Sequence, residues 1–291
     1  MRLVLMGDFH YSRMANGTAE MLEARDYVYA SMLDQFLDMN ADVHISLGDL
    51  THEGLPEEFR VVFTRLNEST RQFIHVLGNH DTYSIPKTEI LEITGQKRYS
   101  SLEMEEAVLI FLDSTKEMNK ECWGGEMDAE QMDWLKAQLQ ASGEKPVLVF
   151  AHHPIYGTTA HSILDKLSIH PDFDMKSVLS VKKGPGFYFC GHNHTNSIVQ
   201  QDGWHFIQTA ACLDIPAFRV VELSGSLLDI TTAQLNVAEL EANIARFHRN
   251  MDGFTPVAEA RGEEMDWSLS VNLLEKTIAE AGAKADNLLN T

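Results

Sequence analysis

Cysteine is scarce in this chain: there are three in 291 residues, at Cys122, Cys190 and Cys212. An odd and widely spaced set argues against a disulfide framework and against a thiolate zinc site. Cys190, inside an apolar run, reads as a small buried hydrophobe. Long hydrophobic runs are also missing. No stretch approaches the roughly 20 apolar residues that span a bilayer, so no membrane segment is expected. Positive charge is in deficit, with 23 Lys and Arg against 43 Asp and Glu, a formal net charge of −20. Such a surface repels nucleic acid and anionic membranes unless charge is inverted locally. That argues against a nuclease acting on duplex DNA; two bound divalent cations would be one local inversion. The chain enters an apolar run after Arg2 and meets Asp8 directly, which leaves no room for a signal peptide's apolar segment and cleavage site. The expectation is a cytoplasmic protein. Neither internal repeats nor low-complexity segments are visible.

What the sequence has is a repeated pairing of a short apolar run with a polar group. Leu3–Met6 leads to Asp8-Phe9-His10, and Val43–Leu47 to Gly48-Asp49. Phe73–Leu77 leads to Gly78-Asn79-His80-Asp81, Val147–Phe150 to His152-His153-Pro154, and Phe187–Cys190 to Gly191-His192-Asn193-His194. Core packing does not explain five hydrophobic runs that each end in Asp, Asn or His. One metal site assembled at one edge of a sheet does.

The order of elements supports that arrangement. Strands are predicted at 2–6, 43–47 and 73–77. Helices are predicted at 18–39, capped by Thr18, and from Pro56 to about Glu68. Strands alternating with helices imply a largely parallel sheet with right-handed crossovers, and ligands of such sheets bind beyond the strands' carboxyl ends. From Tyr99 a hairpin (99–104 and 107–113) is expected. A helix follows from an Asp128 capping box to about Ala141, then strand 147–151. Residues 155–183 are irregular, with one or two short helices. Strands follow at 187–190, 196–200, 204–209 and 217–223. The expected architecture is an α/β four-layer α/β/β/α sandwich of two mixed sheets, occupying residues 1–230. A helical extension over 231–291 is read from the stripes Leu240, Ile244, Phe247 and Leu274, Ile278, Ala281, Leu288. That extension either packs on its own core or joins copies of the chain into a homo-oligomer.

Carboxylate, amide oxygen and imidazole together suit Mn²⁺, Fe²⁺ or Zn²⁺. Two metals about 3.5–4 Å apart need a bridging group. Asp49, ending a middle strand, is the natural bridge. His192 and His194, two residues apart in a loop, can face two different ions.

The ordered set Asp-x-His, Gly-Asp, Gly-Asn-His-Asp, His-x-Pro and Gly-His-x-His resembles the calcineurin-like metallophosphoesterase superfamily over about residues 1–225. Within it, the chain looks most like bacterial cyclic-nucleotide and glycerophosphodiester phosphodiesterases. The resemblance implies one metal held by Asp8, His10 and His194, a second held by Asn79, His152 and His192, and Asp49 bridging them. The ions would be Mn²⁺, Fe²⁺/Fe³⁺ or Zn²⁺. It also implies that Asn79 and His80 meet the phosphate, that His80 helps the leaving oxygen with Asp81 orienting it, and that a metal-bridging hydroxide attacks phosphorus. Its ligand two residues before Pro selects His152 and leaves His153 as support or substrate contact. The expected substrate is a small phosphodiester. A phosphomonoesterase or protein phosphatase is the alternative among enzymes, and a non-catalytic scaffold the alternative outside them.

Other polar residues have plainer readings. His44 and His75 lie inside strands and read as core histidines. His52 and Glu53 read as a solvated loop, and Arg13 as an exposed arginine. His161 follows a Gly-Thr-Thr stretch that could fold over the site, which makes it a candidate substrate contact.

Overall fold

The computed structural model describes residues 1–274, less the side chains of Val237 and Ala238. Its first sheet contains β1 (Arg2–Met6), β2 (Val43–Ser46) and β3 (Phe73–His75), with α1 (Ala19–Asp38) and α2 (Pro56–Asn67) in the crossovers. α3 (Lys87–Thr94), which the sequence did not announce, leads to a second sheet. That sheet begins with the hairpin β4 (Ser100–Glu103) and β5 (Val108–Phe111). Then come α4 (Ala129–Ala141), β6 (Val147–Phe150), α5 (Met175–Leu179), β7 (Gly186–Cys190), β8 (Ser197–Gln201) and β9 (Trp204–Gln208). The chain returns to the first sheet through β10 (Ala217–Ser224) and β11 (Leu227–Gln234), forms α6 (Val237–Phe247) and adds β12 (Leu269–Asn272). The sheet orders are β12-β11-β10-β1-β2-β3 and β4-β5-β6-β7-β9-β8. β1, β2 and β3 run parallel, as do β5, β6, β7 and β9; the outer partners are antiparallel.

Alternation along the strands makes the layers. Leu3 and Leu5 of β1 join Val43 and Ile45 of β2 in the core between the sheets, facing Leu148, Phe150, Phe187 and Phe189 of the second sheet. Val4 and Met6 point the other way, onto Val28, Met32 and Phe36 of α1 and Phe59 and Phe63 of α2. On the far side, Val147, Val149 and Tyr188 meet Leu135 and Leu139 of α4 and Met175 of α5. The expected four-layer sandwich is therefore present.

The C-terminal part departs from expectation. A boundary at residue 230 falls inside β11, whose pairing with β10 runs from Ala217–Gln234 to Ser224–Leu227. β12 extends the first sheet, so the region beyond 230 contributes a strand as well as a helix. The stripe Leu240, Ile244 and Phe247 is buried in this chain's own core, beside α1. The second stripe lies outside the described residues apart from Leu274. Arg219 on β10 holds the returning segment. Its buried guanidinium donates to the carbonyls of Asp266 (2.9 Å) and Gln208 (3.3 Å), to Thr232 Oγ1 (2.9 Å) and to Asn196 Oδ1 (3.0 Å). These four contacts offset the cost of burying the cation, while Arg219 Nε is left without a partner among the described residues. No described helix is long and apolar enough to cross a membrane.

Candidate metal centre

The carboxyl ends of β1, β2, β3, β6 and β7 point to one end of the sandwich, so the five motif loops meet there. They interlock through their backbones. His10 N donates to Asp49 O (2.8 Å), Gly191 N to His152 O (3.0 Å), and His192 N to the Asp8 carboxylate (3.1 and 3.2 Å). Five of the seven expected donors have positive φ: Asp8 (25°), His10 (50°), Asp49 (48°), His192 (71°) and His194 (52°). Each such non-glycine residue costs on the order of 1–3 kcal/mol, and strain of this kind concentrates at functional sites. The motif glycines give the donors room. A Cβ on Gly78 would stand 2.1 Å from Asp49 Oδ1, and one on Gly191 2.3 Å from Asp8 Oδ2.

Two groups of donors result. Asp8, His10, Asp49 and His194 converge as the first group. His10 Nε2 is 3.0 Å from His194 Nε2 and 3.7 Å from Asp49 Oδ2, and His194 Nε2 is 3.7 Å from Asp8 Oδ1. In the second, His152 Nε2 is 3.0 Å from Asn79 Oδ1, 3.2 Å from His192 Nδ1 and 3.3 Å from Asp49 Oδ2. Asp49 Oδ2 thus reaches both groups, while its Oδ1 accepts from His80 N (2.8 Å). All seven expected donors come together.

The outer contacts fix which ring nitrogens carry protons, because a nitrogen facing a carbonyl must donate. His152 Nδ1 donates to Leu47 O (3.0 Å) and His192 Nε2 to Lys166 O (2.9 Å). In their neutral forms, bare His152 Nε2 and bare His192 Nδ1 then face each other. The Asn79 amide adds an oxygen, since its nitrogen donates to Tyr83 OH (2.7 Å). One proton placed among these acceptors would serve one contact; a divalent cation serves all of them. The donor set therefore fits a metal ion.

The first group is oriented differently. His52 Nε2 donates to Asp252 O (2.7 Å), which leaves His52 Nδ1 to accept from His10 Nδ1 (3.4 Å) and keeps His10 Nε2 bare. His194 Nδ1 lies 3.4 Å from Asp214 Oδ2. Phe254 covers both rings, with centroids 5.3 Å from His10 and 5.5 Å from His194.

Burial and neighbouring charges shift the ionisation of these groups. Burial, aided by the neighbouring His80, holds His10 well below the usual imidazole range. Burial likewise brings His52 down to about 4 and His192 down to about 3. Burial also opposes charge on His152, but the carboxylates of Asp49 and Asp8 outweigh it and push that group up to about 9. Asp8, withdrawn from water, rises to about 6.

The profile of the calcineurin-like phosphoesterases matches residues 1–196. The chain belongs to that family. Among curated relatives, it is 27% identical over 167 residues to the glycerophosphodiester phosphodiesterase GpdQ of Enterobacter lignolyticus, covering 55% of this chain and 58% of that protein. It is 23% identical over 196 residues to a 3′,5′-cyclic-nucleotide phosphodiesterase of Nostoc, covering 62% of this chain and 72% of that one. The GpdQ match thus spans less than two thirds of that protein. A dimetal phosphatase from Danio rerio shares the fold, with a TM-score of 0.63 at 16% identity over 80% of this chain and 96% of that one.

Several family expectations change here. Asp81 does not orient His80. Its carboxylate turns back to accept from Leu50 N (3.3 Å), Thr51 N (2.8 Å), Thr51 Oγ1 (2.8 Å) and Gly78 N (2.9 Å), tying the second and third loops together. His80 is oriented instead by the carbonyl of His52, which accepts from its Nδ1 (2.6 Å), and by stacking on the His52 ring at 5.0 Å. Among the described residues, His80 Nε2 has no hydrogen-bond partner. His153 is fully buried, with Nδ1 on Ser114 Oγ (2.8 Å) and Nε2 donating to Trp123 O (2.8 Å), so it supports His192 from behind rather than meeting substrate. His161 is exposed, and no contact among the described residues ties it to the donors. His52 is the reverse case: read as solvated, it is buried at the centre of the network. Nothing in its local sequence signals this, because its partner lies 200 positions away. Asp214 was missed for the same reason.

Proposed function

We propose that this chain hydrolyses a small phosphodiester with the help of two divalent metal ions. Asp8, His10 and His194 would hold one, Asn79, His152 and His192 the other, and Asp49 both. The observation that carries the reading is the set of potential ligand atoms gathered around His152 Nε2, at 3.0, 3.2 and 3.3 Å, with the outward ring nitrogens of His152 and His192 engaged by carbonyls. Bound ions of this kind activate water and offset charge on phosphate oxygens.

The chain's own residues account for the rest. His80 spends its Nδ1–H on the His52 carbonyl. A second proton can therefore sit only on Nε2, from which it can pass to a departing alkoxide or hold a phosphate oxygen. Tyr83 turns the Asn79 amide so that its oxygen points inward. The group beside the donors is an imidazole rather than an Arg or Lys clamp, which suits the single charge of a diester better than a dianionic monoester. The names of the curated relatives favour the same substrate class. Seven intact donors weigh against a scaffold that has given up the reaction.

The test is turnover of bis-p-nitrophenyl phosphate against p-nitrophenyl phosphate after loading metal-free protein with Mn²⁺. Diester turnover is expected to dominate. Activity on the monoester alone would overturn the diesterase reading.

A further inference from the structure

We infer that the returning C-terminal segment around Met251–Val257 braces the first metal position and not the second, with His52, Asp214 and Phe254 as its positioning residues. The inference rests on the two-metal reading proposed above. Three contacts carry it, and all link that position to chain beyond the family match at 1–196. The Asp252 carbonyl takes the Nε2 proton of His52 (2.7 Å), and His52 then takes the Nδ1 proton of His10 (3.4 Å). Val257 N donates to Asp214 Oδ1 (3.2 Å), while Asp214 Oδ2 faces His194 Nδ1 (3.4 Å). Phe254, buried between these contacts, packs against the rings of His10 and His194. Each of the two histidines thus has its outward nitrogen met by a side chain that is itself held by the segment. His152 and His192 show no such dependence. Their outward nitrogens donate to the carbonyls of Leu47 and Lys166, both within the family-matched region.

A ligand's outer partner fixes its ring orientation and tautomer, and losing that partner typically weakens metal affinity by about 10–100-fold. The segment therefore sets the affinity of one ion independently of the other. His52 has a second part in this, because its backbone carbonyl orients His80. The residue that braces a metal ligand also positions the group placed beside the leaving oxygen.

The test uses the full chain, stripped of metal and titrated with Mn²⁺, with two binding steps resolved by calorimetry and by the electron spin resonance signal of free Mn²⁺. His52→Leu removes the acceptor at similar volume. Asp214→Asn is nearly isosteric and decides the matter if the first variant does not fold. In each, one step is expected to weaken by about 10–100-fold while the other stays within about twofold, and the metal-free melting temperature of Asp214→Asn should match the wild type. His10→Ala identifies the step: the weakened step should be the one it abolishes, and adding Asp214→Asn to it should leave the remaining step unchanged. Two steps that weaken together, or do not weaken at all, would overturn the brace. A wild-type chain that takes up no Mn²⁺ would instead remove the two-metal reading on which the brace depends.

Discussion

The two groups of candidate metal donors draw on the same residue types but are held in different ways. Around His152 and His192 the outer partners are main-chain carbonyls, those of Leu47 and Lys166. Around His10 and His194 they are side chains, His52 and Asp214, each tied to the returning segment. A carbonyl in a strand or loop is present whatever the sequence, so the second position comes with the fold. The first position draws on particular side chains and on the docking of the Met251–Val257 segment, which lies beyond the family match at 1–196. One group is held by main-chain carbonyls, the other by side chains tied to the returning segment.

That contrast can be broken from the middle. Asp49 Oδ2 lies near the inward nitrogens of both histidine sets, 3.7 Å from His10 Nε2 and 3.3 Å from His152 Nε2. Asp49→Ala is expected to abolish both metal steps and lower diester turnover by at least about 1,000-fold, beyond the roughly 10–100-fold of losing an outer partner. Retention of one tight ion by this variant would show that the groups are independent even at the bridge.

His80 separates metal binding from chemistry. His80→Ala is expected to reduce kcat by about 10²–10⁴-fold, the usual worth of a positioned acid or base, with both Mn²⁺ steps intact. A loss of metal in place of a loss of kcat would make His80 a ligand.

Asp81 tests whether His80 is oriented by its sequence neighbour or by His52. It accepts from Leu50 N, Thr51 N and Gly78 N, all buried. Asp81→Asn should therefore destabilise the chain, since each buried donor left unpaired costs about 1–3 kcal/mol, without moving the pH profile of kcat. A displaced profile at unchanged melting temperature would restore the role of orienting His80.

The smallest expected effect concerns the loop that carries His52. Glu58 accepts from the backbone N–H groups of Glu53 (2.9 Å) and Arg13 (3.1 Å). Burial nevertheless pushes its carboxyl up from 4.5 to about 7. The folded chain then binds more protons than the unfolded one between these values, so this group's contribution to stability falls as pH rises from about 4.5 to 7. Glu58→Gln should flatten the decline in melting temperature across that window. An equally steep decline in the variant would assign the effect to other groups.

Much of this arrangement is legible in the sequence because it is local. Each donor loop follows a short, mainly apolar strand, and the helix caps at Thr18 and Asp128 sit where their side chains accept from Met21 N and Gln131 N. What escaped was set by distant partners. β12 has four residues and exists through its pairing with β11. β11 is half exposed, with Asp229 and two threonines that interrupt its apolar pattern. α3 offers only Ile90 and Thr94 as buried positions, too few for a readable stripe. His52 follows Gly48-Asp49-Leu50-Thr51 like any loop residue, and only the arrival of Asp252 makes it a positioning group. Asp81 was misplaced because adjacency to His80 says nothing about the side on which a tight loop leaves a carboxylate.

The most direct test of the whole account is the metal content of the native chain, measured together with diester turnover after Mn²⁺ is returned to stripped protein. Two ions per chain, bound in two distinguishable steps and both required for turnover of bis-p-nitrophenyl phosphate, is the predicted result. One ion or none, with no turnover of either model ester, would contradict it and leave the fold without the reaction.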